Sequence, residues 1–167
     1  MSHAAPPLVI RPARAEDWDA IWPIFSAVVS RGDTYAYAPD TTEAEARRIW
    51  LAPGVATYVA ASGGAILGTY VLRPNQPGLG DHVANAGYMV APDARGRGLG
   101  AAMCEHSMAE ARTAGYRAMQ FNFVVSTNTR AVALWQRLGF AVVGTIPEGF
   151  RHREHGYVDL LVMHRAL

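Results

Sequence analysis

The stretch Tyr88-Met89-Val90-Ala91-Pro92-Asp93-Ala94-Arg95-Gly96-Arg97-Gly98-Leu99-Gly100-Ala101 decides the fold. Its first three residues end a strand, Pro92 stops that strand, and Asp93 and Ala94 begin a turn. Gly96, Gly98 and Gly100 then bring bare backbone to a surface, where a Cβ would hold a ligand away. The helix expected from Leu99 to about Gly115 aims unpaired N–H groups and its positive dipole end at the turn. With Arg95 and Arg97 adding cationic donors, the segment is a cradle for a phosphate or diphosphate between strand and helix. No Gly-Lys-Ser/Thr ending follows, which excludes a P-loop with its lysine and its Mg²⁺-binding hydroxyl. The spacing also differs from the dinucleotide fingerprint, and no acidic residue about 20 positions on is available to hold a ribose.

The rest of the chain suits a packed globule. Its 167 residues are expected to form one domain, 1–167, with a sizeable core. Half of them are apolar and 17% charged, which excludes a disordered chain. A formal net charge of +1 and scattered basic residues give no nucleic-acid stripe. One cysteine, Cys104, excludes an internal disulfide framework and suits a reducing compartment, so the expected location is cytoplasmic. No apolar run approaches the ~20 residues that cross a bilayer, and residues 1–7 do not resemble a signal peptide.

Taken in order, Leu8-Val9-Ile10 is a short strand. Trp18, Ile21, Trp22, Phe25, Val28 and Val29 then define the buried stripe of a helix from Ala15, which Pro23 should kink or restart. Gly32 and Asp33 end it, and Thr34 to Pro39 form an aromatic loop. Tyr35 and Tyr37 in that loop either cover the core edge or line a pocket. Thr42 caps a second helix, Glu43 to Leu51, with Glu45 at the capping-box position. Thr57 to Ala61 and Ala65 to Leu72 flank Gly63-Gly64 as a hairpin. A Pro/Gly loop, Asn75 to Gly80, precedes the strand His82 to Val90. Beyond the cradle, the helix is expected to bury Leu99, Ala102, Met103 and Ala109. The strand Arg117 to Val125 should place Met119, Phe121, Phe123 and Val125 on one face. Asn128 caps a short helix carrying Ala131, Leu134, Trp135 and Leu138. Phe140 to Ile146 and Tyr157 to His164 are the last strands, with a polar excursion between them. The alternation implies an α/β layered sheet with its ligand at a strand's carboxyl end.

Two motifs carry a resemblance. Arg95-x-x-Gly98-x-Gly100 resembles the acetyl-CoA pyrophosphate loop of the GNAT (GCN5-related N-acetyltransferase) superfamily. One strand later, Asn128-x-x-Ala131-x-x-Leu134-Trp135-x-x-Leu138-Gly139-Phe140 resembles its second signature. The likeness runs from about Leu8 to Leu167. His82-x-x-Asn85-Ala86-Gly87-Tyr88-Met89-Val90, Phe121-Asn122-Phe123 and Ser126-x-Asn128 are similar to the proline-analogue acetyltransferases. The Thr34-to-Pro39 loop is similar to that of the phosphinothricin and methionine-sulfoximine acetyltransferases. The resemblance implies a mixed, mostly antiparallel seven-stranded sheet, splayed at the centre, with helices on both faces. It also implies acetyl-CoA as cosubstrate with no metal, a small-molecule amine as acceptor and a homodimer.

By the same resemblance, Tyr88, Met89 and Val90 pair with the pantetheine arm, and the N–H of Met89 or Val90 polarises the acetyl carbonyl. Arg95, Gly96, Arg97, Gly98, Leu99, Gly100 and Ala101 hold the diphosphate, while Asn128 and Trp135 flank the arm. Two departures stand out. Val83, Asn85 and Gly87 occupy the stretch where many relatives carry a glutamate base, and Trp135 replaces the usual tyrosine. An indole can donate a hydrogen bond but is no acid near neutral pH. Asn85 and Asn122 are therefore the candidates for orienting the amine beside a water, or else they satisfy backbone groups at a bulge. Tyr35, Tyr37 and Arg73 are the acceptor-pocket candidates, Arg73 as a carboxylate partner or as a solvated charge. The late segment Phe150 to His155 either closes over the substrate or a neighbouring subunit, or is simply solvated. The expected activity is acetylation of an amino acid or analogue. Protein N-terminal or lysine acetylation and a non-catalytic acyl-CoA-binding module are the alternatives.

Overall fold

The computed structural model describes residues 6–167. Residues 1–5, part of the stretch judged unlike a signal peptide, lie outside the described residues. Seven strands form one sheet in the order β1-β2-β3-β4-β5-β7-β6. They are β1 (Leu8–Pro12), β2 (Ala56–Ser62), β3 (Ala65–Pro74), β4 (Val83–Val90), β5 (Ala118–Val125), β6 (Ala141–His152) and β7 (Gly156–Ala166). Four helices cover it: α1 (Trp18–Val29), α2 (Glu43–Trp50), α3 (Leu99–Thr113) and α4 (Thr129–Arg137). Every strand contact is antiparallel except β4 with β5, which pair in parallel only at Val83–Ala118 and Ala84–Met119. Beyond those two positions the strands separate, so the sheet is splayed at its centre as expected.

Side-chain alternation sorts the two faces. Thr69 turns toward α1 and α2, where its buried hydroxyl accepts from Trp50 Nε1 (3.0 Å) and donates to Tyr58 O (2.8 Å). Tyr58, Tyr70 and Tyr88 turn toward α3, with their hydroxyls on Glu110 (2.8 Å), His106 Nδ1 (2.8 Å) and Ser107 Oγ (2.7 Å). Capping explains where α2 starts: Thr42 and Glu45 exchange side chain-to-backbone bonds. Helix α1 runs through Pro23 without a restart, its ring on an exposed face while Ile21, Ile24, Phe25, Val28 and Val29 pack inward. Trp22 is only half-buried and Ile24 takes its place in the stripe.

Other expectations are corrected by register and helix phase. In β5 one extra residue lies between Phe121 (opposite Met163) and Val124 (opposite Leu161). This bulge inverts the alternation, so Val124 is buried while Phe123 is 38% exposed. On α3 the buried positions are Leu99, Met103, Cys104, Ser107, Met108 and Ala111, and Ala109 is exposed. The expected polar excursion is mostly strand: β6 continues to His152, with two extra residues bulged between Ile146 and Phe150. Asp159 Oδ1 accepts the Glu148 N–H there (2.9 Å). At the hairpin tip, His152 Nδ1 accepts from the N–H groups of Glu154 (3.0 Å) and His155 (3.2 Å).

Trp50 ties these layers together, since its ring also meets Phe25 and Tyr35 edge-on. Trp50→Phe leaves the Thr69 hydroxyl without its donor and a void beneath the aromatic loop. The expected loss is about 2 kcal/mol, read as a fall in Tm of about 4–8 °C in a calorimetric melt.

Candidate active site

A cleft of about 600 Å³ follows the split between β4 and β5. It is lined by Tyr35, Tyr37, Arg73, Asn85, Tyr88, Met89, Val90, Arg95, Gly100, Asn122, Asn128 and Trp135, so residues far apart in sequence meet in one place. Main-chain geometry decides what β4 offers to it. At the ends of the β3–β4 ladder, Ala91 N–H donates to Leu67 O (2.8 Å) and Asn75 N–H to Val83 O (2.7 Å). Asn85, Gly87 and Met89, opposite Arg73, Val71 and Thr69, therefore turn their N–H and C=O groups toward β3. Those of Ala86, Tyr88 and Val90 face the split. The Tyr88 carbonyl already accepts the Tyr35 hydroxyl there (2.9 Å). Of the two amides considered for the acetyl carbonyl, Met89 N–H is committed to the sheet and Val90 N–H is the one available.

The cradle has the form needed for a diphosphate. Gly96 and Gly98 hold φ of +78° and +76°, the left-handed region, and nothing lies within 4 Å of where their Cβ atoms would be. Gly98 is the N-cap of α3 and supplies no capping side chain, so the first N–H groups of a fifteen-residue helix stay open to a ligand. Gly100 works differently from the other two. A Cβ there would meet Leu134 Cδ2 at 3.3 Å, so its smallness serves the packing of α3 against α4. Arg97 leans back onto Asp93 O (3.1 Å). Burial and the like charge of Arg31 push the Arg95 guanidinium below its ordinary value, with Asp33 opposing.

On the opposite wall, Asn128 Oδ1 accepts the Ala131 N–H (3.4 Å) as cap of α4, leaving its amide nitrogen for the cleft. Trp135 stacks obliquely on Tyr88 (5.2 Å) and Phe121 (5.1 Å), forming an apolar wall. Tyr88 itself is held on the far face, where burial drives its phenol well above its ordinary pKa. Burial also pushes the Cys104 thiol up to about 11, so this cysteine stays protonated and is no nucleophile.

The two asparagines are placed beside the split and partly occupied. Asn85 Nδ2 donates to Gln120 O (2.9 Å), bridging β4 to β5 where their ladder stops, and this leaves Asn85 Oδ1 for the cleft. Asn122 accepts from Gln120 Nε2 (2.9 Å) and donates to Asn75 Oδ1 (2.6 Å). Tyr35 and Tyr37 stack on each other (5.7 Å), and Tyr37 continues onto Phe25 (5.6 Å). They thus fill both roles left open for them, core edge and pocket lining. Arg73, at the end of β3, enters no side-chain hydrogen bond or ion pair among the described residues. Arg31, Asp33 and Arg130 also line the cleft. They escaped the sequence reading, in which Asp33 served only to end a helix, although a charged pair just ahead of an aromatic loop was the available signal.

The tip of the β6–β7 hairpin reaches the end of α1. Arg153 N–H donates to Gly32 O (3.1 Å) and Arg153 Nη1 to Ser30 O (3.2 Å), so the tip is docked on the end of α1. Gly32 accepts this closeness through its φ of +65°, with the Arg153 side chain 3.3 Å from where a Cβ would stand.

A splayed seven-stranded sheet with a glycine cradle at the end of β4 and an asparagine-capped helix after β5 defines a class of acyl-CoA-using folds. The model of the acetyltransferase (GNAT) family matches residues 18–140, and the chain belongs to that family. A GCN5-related N-acetyltransferase from Kribbella flavida superposes with a TM-score of 0.92 at 52% identity, covering 96% of this chain and 98% of that one. A ribosomal-protein-alanine N-acetyltransferase from Brucella melitensis gives a TM-score of 0.84 at 26% identity, over 95% and 99% of the two chains. Among curated relatives, N-acetyltransferase aca1 of Schizosaccharomyces pombe is 34% identical over 112 residues, 66% of this chain and 54% of that protein. The match therefore spans about half the length of that relative.

Gly98→Ala tests the cradle. The left-handed φ costs an added Cβ about 1–2 kcal/mol, and the methyl stands where a phosphate would approach. The expected result in calorimetry is coenzyme A binding weakened by about tenfold or more, with secondary structure by circular dichroism unchanged.

Proposed function

We propose that this protein is an acetyl-CoA-dependent N-acetyltransferase acting on the amine of a small molecule, an amino acid or amino-acid analogue. The observation that carries the acceptor class is the free Arg73 guanidinium, which stands in the cleft with Tyr37. A guanidinium recognises a carboxylate through paired N–H donors. The coenzyme supplies an activated acyl thioester. Around it, Gly96, Gly98 and the open N–H groups of α3 bind the diphosphate, and Arg95 and Arg97 neutralise it. Val90 N–H donates toward the acyl oxygen, and Tyr88, Asn128 and Trp135 flank the arm.

The amine must reach this site neutral. Asn85 Oδ1 and a water held near Asn122 accept hydrogen bonds from it as its nitrogen attacks the acyl carbon. The C–S bond breaks, the nitrogen's proton passes to solvent, and the coenzyme A thiolate leaves and is protonated from solvent. No carboxylate on β4 serves as base, so turnover follows the fraction of neutral amine and rises with pH toward the amine's own pKa. A homodimer and a cytoplasmic location go with this reading. The single buried cysteine suits the latter, and exposed Val142, Val143 and Ile146 on the edge strand β6 suit the former. A second reading, acetylation of a protein N-terminus, is favoured by the likeness, at 26% identity, to a ribosomal-protein-alanine N-acetyltransferase.

A thiol-release assay with acetyl-CoA over amino acids, their analogues and short peptides decides between these. Release with amino acids and none with peptides supports the small acceptor. Release with peptides alone overturns it, and coenzyme binding without release for any amine leaves a binding module. Arg73→Ala is expected to raise KM for a carboxylate-bearing acceptor by about tenfold or more, with KM for acetyl-CoA unchanged. Asn85→Ala is expected to lower kcat, and an unchanged kcat/KM removes Asn85 from the mechanism.

A further inference from the structure

Four arginines and one aspartate line the cleft: Arg31, Arg73, Arg95 and Arg130 against Asp33. Only Arg31 and Asp33 are paired, Nη2 to Oδ2 at 2.5 Å. The bond is made at one edge of the guanidinium, so donors of a five-donor fork stay free, and the side chain is 45% exposed. Asp33 Oδ1 is shielded from water and has no hydrogen-bond partner, the sole such side-chain atom among the described residues. The carboxylate is thus not saturated by the chain around it. It makes one bond, and that bond sets the direction of a guanidinium.

The mount under Arg31 is unusually fixed for a loop. The carbonyls of its two neighbours, Ser30 and Gly32, are both held by Arg153 from the hairpin tip. Two residues past Asp33, the Tyr35 hydroxyl is bonded to Tyr88 O on the rim of the split. Arg31 and Arg95 come from different elements, the end of α1 and the turn after β4, yet share one cleft and only one carboxylate. Like charges gathered in this way repel unless an anion joins them. The N-terminal turn of α3 opens on the same cleft, since its Gly100 lines it too.

We propose that Arg31, oriented by Asp33, is a further cationic ligand for the diphosphate of the coenzyme, beside Arg95 and Arg97, reaching the cradle from the acceptor side of the cleft. The inference rests on the acetyltransferase reading and deepens it. It makes the loop carrying Tyr35 and Tyr37 part of the coenzyme site, so that coenzyme binding also fixes one wall of the acceptor pocket.

Calorimetric titration of Arg31→Gln and Arg31→Lys with coenzyme A and with dephospho-coenzyme A, which keeps the diphosphate but lacks the ribose 3′-phosphate, tests this. The glutamine variant is expected to bind both about five- to tenfold more weakly than the unsubstituted protein at low salt. The lysine variant should recover part of the loss. At about 1 M salt, where the screening length is about 3 Å, the difference should shrink. The melting temperature without ligand should change little, because the glutamine amide and the lysine ammonium can each still donate to Asp33. Equal binding by the glutamine variant and the unsubstituted protein overturns the proposal. So does a loss confined to coenzyme A, which assigns Arg31 to the 3′-phosphate, and so does a loss indifferent to salt. Failure of the unsubstituted protein to bind coenzyme A overturns the acetyltransferase reading itself.

Discussion

The parting of β4 from β5 after two paired positions is the constraint on which the rest depends. A continuous ladder would satisfy every main-chain group and leave no room for a ligand. Here the main-chain groups of Ala86, Tyr88 and Val90 face a gap, and buried polar backbone needs partners. The protein supplies one, the Tyr35 hydroxyl on Tyr88 O, and leaves Val90 to whatever enters. Asn85 closes the gap at its narrow end by donating to Gln120 O where the ladder stops. The bulge at Asn122–Phe123 then carries β5 onward toward β7 with its faces exchanged.

The two faces of the sheet divide the labour. Toward α3, three tyrosines from β2, β3 and β4 set their hydroxyls on helix side chains, which fixes the helix whose N-terminus is the cradle. Toward α1 and α2, Trp50 and Thr69 anchor a layer of stacked aromatic rings that ends in Tyr35 and Tyr37. The cradle is therefore carried by a fixed helix, as the proposed diphosphate site requires. The proposed acceptor wall is built from a loop, and its position is set by distant contacts: Arg153 on Ser30 and Gly32, and Tyr35 on Tyr88.

This arrangement also accounts for two departures from the usual family pattern. Trp135 stands where a hydroxyl is common, but it covers Tyr88 and Phe121 as part of a dry wall, a job for apolar area. The absent glutamate on β4 leaves Asn85, whose amide is used to bridge strands. A neutral bridge at that position avoids placing an uncompensated carboxylate in a splayed sheet.

Local patterns in the sequence were enough to establish the family, the element order, the Thr42–Glu45 capping box, the Gly63-Gly64 hairpin and the cradle. Each depends on neighbours within a turn or a strand, and spacing records such contacts directly. The exposure of Phe123, the length of β6 and the separate role of Gly100 were decided only by tertiary structure. A bulge arises from pairing with a distant strand, and Gly100 packs on Leu134 of another helix. The same holds for the site: Arg31 went unread and Asp33 served only to end a helix until the fold brings both into one cleft with Arg95. Residues sixty positions apart leave no periodic trace, since what relates them is a shared cleft that the sheet creates by coming apart.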